Sequence, residues 1–272
     1  MKDYLKSVNH GFKFNYSEGV VYLSVPAIEN TGKFIHGFTT RIGGVSDGVY
    51  TSLNLSLSRE ENRGNVKENY LRTAAALGLS LESFTACRYE HGNDVFEISE
   101  DVLGSGILRQ SVLPFCDGVI TRKKGVTAVS NHADCTPIFF ADKNGSCAGV
   151  CHAGWKGTYK EIARNMIKKM GVKKEDILVG IGPNISVNAF EVKEDVGGLF
   201  YEKWGEGARV FKDEKQFVDL TYATLCQLCE EGVPPQNVTV SDICTYANPE
   251  LFYSHRRDKG NTGAMASVIA LR

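Results

Sequence analysis

Neither of the two best-known glycine-rich phosphate loops occurs in these 272 residues. Gly-x-Gly-x-x-Gly and Gly-x-x-x-x-Gly-Lys-Ser/Thr are both missing, so no dinucleotide crevice and no P-loop is implied. No run approaches the ~18 apolar residues of a membrane span, and the start, MKDYLKSVNHGFKF, has no apolar core of signal-peptide length. Charge of either sign is not in excess: the net charge is -1, which speaks against nucleic-acid and membrane partners. Internal repeats and low-complexity tracts are lacking too. Cysteine is the exception, with eight residues. Without a secretion signal they are expected to be reduced thiols in the cytoplasm. Cys226-x-x-Cys229 has no second CxxC to complete a zinc site, and its spacing inside a helix is ordinary packing.

What is present centres on residues 130–157, SNHADCTPIFFADKNGSCAGVCHAGWKG. Two strand-like runs, 136–141 and 146–151, flank Asp142-Lys143-Asn144-Gly145. Asn-Gly between such runs signals a hairpin, because both residues tolerate the positive φ of a type I′ turn. With Asn144 and Gly145 as the loop, Lys143 faces Ser146 and Pro137 faces His152. Cys135 is then the diagonal neighbour of His152 on the same face, since side chains alternate with period two. The open end of the hairpin therefore gathers a thiol and an imidazole beside Asp134: a candidate metal or nucleophile site. A one-residue slip would separate the two.

Elsewhere, apolar spacing predicts helices over 66–77 (capped by Asn62 or Asn65), 158–170 (capping box Thr158/Glu161, stop at Gly171) and 219–231. Strands are expected over 20–25, 84–88, 117–121, 126–130, 176–181, 238–240 and 263–271. Strands outnumber helices and are interrupted irregularly. That predicts a single α+β (mixed α/β) domain over 1–272, with a β-sheet or β-sandwich core flanked by helices. Arg41, beside Gly43-Gly44, offers a bidentate fork for an anion, and Arg256-Arg257 suits either phosphate or pairing with Asp258 and Asp242.

Taken in order, HGFTTRIGGVS (36–46), SLNL (52–55), EHG (90–92), CDGVIT (116–121), ADCTPIFFAD (133–142), HAGWKGT (152–158), IGPNIS (181–186), FEV (190–192), DICT (242–245) and FYSHRRDKGNTG (252–263) resemble the YfiH family. This is also called the laccase-domain or multicopper polyphenol oxidase family and is associated with purine nucleoside phosphorylase. The resemblance implies zinc held by His91, Cys135 and His152, with three protein ligands leaving an open coordination position. It implies adenosine, inosine and methylthioadenosine as substrates with phosphate, and adenosine deamination as a side activity. Within that frame Cys135, Asp134 and His152 are the candidate catalytic residues, with Asp134 moving a proton or orienting a ligand histidine. Arg41, Asn54, Arg256 and Arg257 are the candidates for nucleoside and phosphate.

The chain departs from the family pattern at Tyr89 (usually Gln), Lys156 (usually Arg), Asn184 and Asn188 (usually Cys) and His255 (usually Tyr). Copper is an alternative metal. The laccase chemistry in the family's older label needs a histidine-rich trinuclear cluster, and this chain has six histidines in all. A Cys135–His152 amide hydrolase acting on cell-wall precursors is a further alternative.

Overall fold

Alternation along the central hairpin sets the layers. In a computed structural model, which describes residues 1–60 and 62–272, strands Thr136–Asp142 and Ala148–Ala153 pair antiparallel, with Ala141 opposite Ala148 and Pro137 opposite His152. This is the register expected from sequence. Phe139, Ala141, Ala148 and Val150 therefore face one way, and Ile138, Phe140, Cys147 and Cys151 face the other. All eight are fully buried, and burying each large apolar side chain stabilises the fold by roughly 1.5–3 kcal/mol.

The first set packs against a second sheet. The hairpin belongs to a seven-stranded sheet in the order Asn9–His10, Val238–Val240, Ile177–Ile181, Thr136–Asp142, Ala148–Ala153, Gly118–Thr121, Val95–Ile98. Facing it is a six-stranded sheet in the order Lys13–Ser17, Val20–Ser24, Phe34–Thr39, Met265–Leu271, Thr127–His132, Phe84–Ala86. Phe38, Ala128, Met265 and Ile269 close the core between them. Helices Ile162–Met170 and Leu220–Glu230 cover the outer face of the first sheet through Ile162, Met166, Ile167, Met170, Leu225 and Leu228. Helix Arg63–Leu77 covers the second sheet through Val66, Tyr70, Ala74 and Leu77. The result is a mixed α/β domain with helix, sheet, sheet and helix in four layers. A small sheet, Glu191–Val192, Lys215–Val218 and Arg209–Lys212, stands beside them with helix Glu194–Trp204.

Two local expectations are corrected. The hairpin turn is not a two-residue type I′ loop: Gly145 alone has positive φ (82°), and the last ladder bond runs from Asp142 N to Cys147 O at 2.9 Å. The Asp142 carboxylate instead accepts from the backbone N–H of Asn144 (3.0 Å) and Ser146 (3.2 Å), a side-chain cap that organises a four-residue loop. An even loop keeps the strand faces in phase, so the register survives. Helix 158–170 is broken into Trp155–Tyr159 and Ile162–Met170, with Glu161 between them at φ 65°. Its carboxylate pairs with Arg164 (3.2 Å) and Lys203 (3.3 Å) rather than forming the capping box. Asn62 and Asp219 do cap their helices.

One buried group gives the fold an acid sensitivity. His36 accepts a hydrogen bond from Val25 N–H at 2.9 Å and lies edge-on to Phe139. Burial, only partly offset by Glu29, pushes its pKa down from 6.5 to about 4. Below pH 6.5 the unfolded chain binds a proton that the native ring refuses. This contribution is therefore complete above the unfolded value and is lost as pH falls toward 4, by up to about 3 kcal/mol. Urea midpoints at pH 7 and 4.5 should fall less for His36→Gln than for wild type; equal falls would refute the assignment.

Candidate metal centre and cavity

The centre is organised by a carboxylate. Asp117, fully buried, precedes strand Gly118–Thr121 and receives four donors. Glu90 N (3.2 Å) and Gly92 N (2.7 Å) bond to Oδ2; His91 N (3.1 Å) and His152 Nδ1 (3.0 Å) bond to Oδ1. One side chain thus holds the loop that carries His91, itself at φ 63°, and fixes the His152 ring with the proton on Nδ1. Nε2 is left free to serve as a ligand. His91, Cys135 and His152 come together with their ligand atoms all within 4.8 Å of one another. The hairpin delivers Cys135 and His152, and the Asp117-held loop delivers His91.

Charge in the set is self-consistent. Burial opposes ionisation of Cys135, but the His152 charge and hydrogen bonds from His152 and His91 outweigh it and lower the thiol pKa to about 6. Burial also opposes charge on His152, yet the Cys135 thiolate and Asp117 raise it to about 9. Asp117 is itself lowered, because His152 and backbone donors overcome its burial. The shifts run toward a thiolate–imidazolium pair on a carboxylate in the metal-free site. His91, Cys135 and His152 would hold a metal ion with the His152 proton given up and the thiol ionised.

The residues fit a metal ion. One soft thiolate and two imidazoles are a donor set for zinc, copper and similar ions. Gly154 borders the same space: a Cβ there would lie 3.1 Å from Cys135 Sγ and 3.1 Å from His91 Cδ2. The absent side chain leaves room where the ligands converge. His132 supports from behind, its Nδ1 3.2 Å from Cys135 O and its Nε2 3.0 Å from Ser267 Oγ. Among the described residues this is the one such cluster. His10 pairs with Asp242 and His36 is committed to Val25, so no histidine-rich trinuclear set is assembled among them.

The three ligands open onto a cavity of about 740 Å³. Its walls include Tyr89, Asn131, Trp155 and Phe190, the cations Arg59, Lys193 and Arg256, and His255. Tyr89 lies on His152 with ring centroids 4.9 Å apart.

Several residues nominated from sequence have other work. Arg41 is outside the cavity wall; its Nε donates to Thr51 O (2.7 Å), its Nη1 to Pro249 O (2.9 Å), and it covers the Tyr253 ring. Asn54 is fully buried, donating to Glu60 (2.8 Å) and accepting from Ser56 N and Ala264 N. Arg257 spends all three nitrogens on Asp258, Thr245 O, Tyr246 O and Phe252 O. These three tie loops together. Arg256 does reach the cavity.

Asp134 lines the cavity at φ 82°, but its carboxylate accepts from Thr245 Oγ1 (2.7 Å), Ser254 Oγ (3.0 Å) and Arg256 N (2.6 Å). It binds the C-terminal segment to the Cys135 loop, and the orienting of a ligand histidine falls to Asp117. In sequence Asp117 reads only as the start of the strand 117–121; its place directly before a buried strand paired with the His152 strand is what brings it to the site.

A family model described as multi-copper polyphenol oxidoreductase laccase matches residues 35–272. The chain belongs to this family. Among its laccase-domain relatives is "Purine nucleoside phosphorylase YlmD" of Bacillus subtilis, 35% identical over 253 residues, covering 90% of this chain and 91% of the relative. "Purine nucleoside phosphorylase LACC1" of Mus musculus is 35% identical over 250 residues, covering 88% of this chain but 56% of the relative. The chain thus spans about half the length of that mammalian protein. The crystal structure of YlmD from Geobacillus stearothermophilus superposes with a TM-score of 0.88 at 32% identity, covering 96% of this chain and 98% of that one.

Proposed function

We propose that this laccase-domain chain is a zinc-dependent purine nucleoside phosphorylase. The observation that carries the reading is an open His91–Cys135–His152 set at the floor of a nucleoside-sized cavity, in a chain whose relatives are named for this activity. Zinc held by these three residues would supply Lewis-acid polarisation at its open position. The chain's own residues do the rest. Aromatic rings of Tyr89, Trp155 and Phe190 offer apolar faces for a purine and exclude water. Asp117 keeps His152 in one tautomer. Arg256, anchored through Nη1 to Glu191 O at 2.8 Å, brings positive charge to the mouth.

In the reaction a phosphate oxygen bonds to the ribose anomeric carbon as the bond to the base breaks, giving free base and ribose 1-phosphate. Adenosine, inosine and methylthioadenosine are the substrates of this reading, and the same donor set would support deamination of adenosine as a side activity. Eight free cysteines favour a reducing, cytoplasmic setting. Incubation of zinc-loaded protein with inosine or adenosine should release free base only when phosphate is present. Intact nucleoside at full zinc occupancy would reject the reading.

A second reading has one observation in its favour. The metal-free Cys135–His152–Asp117 chain has the order of a thiol nucleophile, base and orienting carboxylate. Amide hydrolysis by stripped protein, abolished by thiol alkylation, would support it over the first.

A further inference from the structure

The two cavity arginines, Arg59 and Arg256, are both anchored through Nη1 alone, Arg256 to one carbonyl and Arg59, a residue the family motifs pass over, to two. The Nη1 group of Arg59 donates to two backbone carbonyls, Thr262 O at 3.2 Å and Gly263 O at 3.1 Å. A guanidinium has five N–H donors, two of them on Nη1. Anchoring by Nη1 therefore leaves the Nε–Nη2 edge, the one that forms a two-point fork with an oxyanion. Arg41 and Arg257 lack that freedom, because Nε of each is already bonded to protein oxygen.

Neutralisation is missing as well. Among the described residues no carboxylate pairs with Arg59, Arg256 or Lys193, although all three line the cavity. Of the three acids in the lining, Asp134 takes three donors, Glu191 pairs with Lys215 at 3.0 Å, and Asp195, on the helix beside the small sheet, accepts only from Val196 N at 3.0 Å. Arg59 is only half-buried and lines the same cavity as Tyr89, the ring that lies on His152. Arg256, stacked over Phe190 at 5.1 Å, stands on the side of the small sheet.

We infer that Arg59 is the principal anion-binding residue of the cavity and holds inorganic phosphate. The inference deepens the phosphorolysis reading and rests on it for the identity of the anion. The two carbonyl anchors fix the guanidinium plane before phosphate arrives, so little side-chain freedom is lost on binding. A nucleoside placed between the metal side and the small sheet then meets an oxyanion presented from a fixed direction.

The test compares zinc-loaded wild type with Arg59→Gln and Arg59→Lys. Gln can keep one carbonyl bond without the charge; Lys keeps the charge without the fork. Inorganic phosphate binding is read by 31P NMR in the absence of nucleoside, and the phosphate and inosine KM values are measured separately. Folding and zinc content are checked by thermal melting and metal analysis. A charge-assisted fork predicts phosphate KM raised about 10- to 100-fold in Arg59→Gln, with a smaller rise in Arg59→Lys and inosine KM within about twofold of wild type. Folded, zinc-replete Arg59→Gln with wild-type phosphate binding and KM would overturn the inference. Phosphate bound through Arg59 without any phosphorolysis by wild type would sustain the anion site and overturn the phosphorylase reading.

Discussion

The Cys135→Ala protein is expected to fold, to lose its metal, and to release base from nucleoside at about a thousandth of the wild-type rate or less. Lewis-acid assistance is worth several kcal/mol, and each 1.36 kcal/mol is tenfold in rate, which sets that order of magnitude. Folding should survive because the cores lie between the sheets and under the helices, while Cys135 stands at a loop end, half-buried. Truncation to Ala removes the thiol partner of His152 but leaves the ring bonded to Asp117. Metal content by mass spectrometry, thermal melting and a chromatographic assay on one preparation would check all three parts. Retention of both metal and activity would remove Cys135 from the centre.

A second change should do more damage from farther away. Asp117→Asn replaces one carboxylate oxygen with an NH2 group. Each oxygen now accepts two N–H donors, so either orientation of the amide sets donor against donor. Breaking such a buried network is expected to cost about 3–5 kcal/mol of stability. Loss of the partner that orients His152 should weaken metal affinity about 10- to 100-fold. Urea denaturation gives the first number, and competition with a chromophoric chelator gives the second. A stability loss alone, with metal affinity unchanged, would make Asp117 a purely structural residue. The sign with pH follows from its lowered pKa: the stabilisation is present above the unfolded carboxylate range and is lost as pH falls through the folded value.

Legibility from sequence followed distance along the chain. Pairing of Pro137 with His152 was readable because the hairpin is local and alternation fixes faces, even though Asp142 capping replaced the turn type. The four-layer plan was readable in outline from strands and amphipathic stripes. What sequence could not show depended on partners far apart. Asp134 looked catalytic beside Cys135, but Ser254 and Arg256, some 120 residues on, occupy its oxygens. Arg41 looked like an anion fork beside glycines, but Pro249 O, supplied from 208 residues away, takes one of its donors. Arg59 carried no glycine or motif beside it, and only its two carbonyl anchors distinguish it. At the helix break, one of the two partners of Glu161 is Lys203, which local periodicity does not contain.

The strand Met265–Leu271 lies between Phe34–Thr39 and Thr127–His132 in the middle of its sheet. During synthesis, therefore, the first 264 residues emerge with a gap down the centre of that sheet. His132, which backs Cys135, waits for Ser267 to fill its Nε2, and Asp134 waits for Ser254 and Arg256. The backing of the Cys135 loop is therefore completed by residues 254–267, well after the three ligands in chain order.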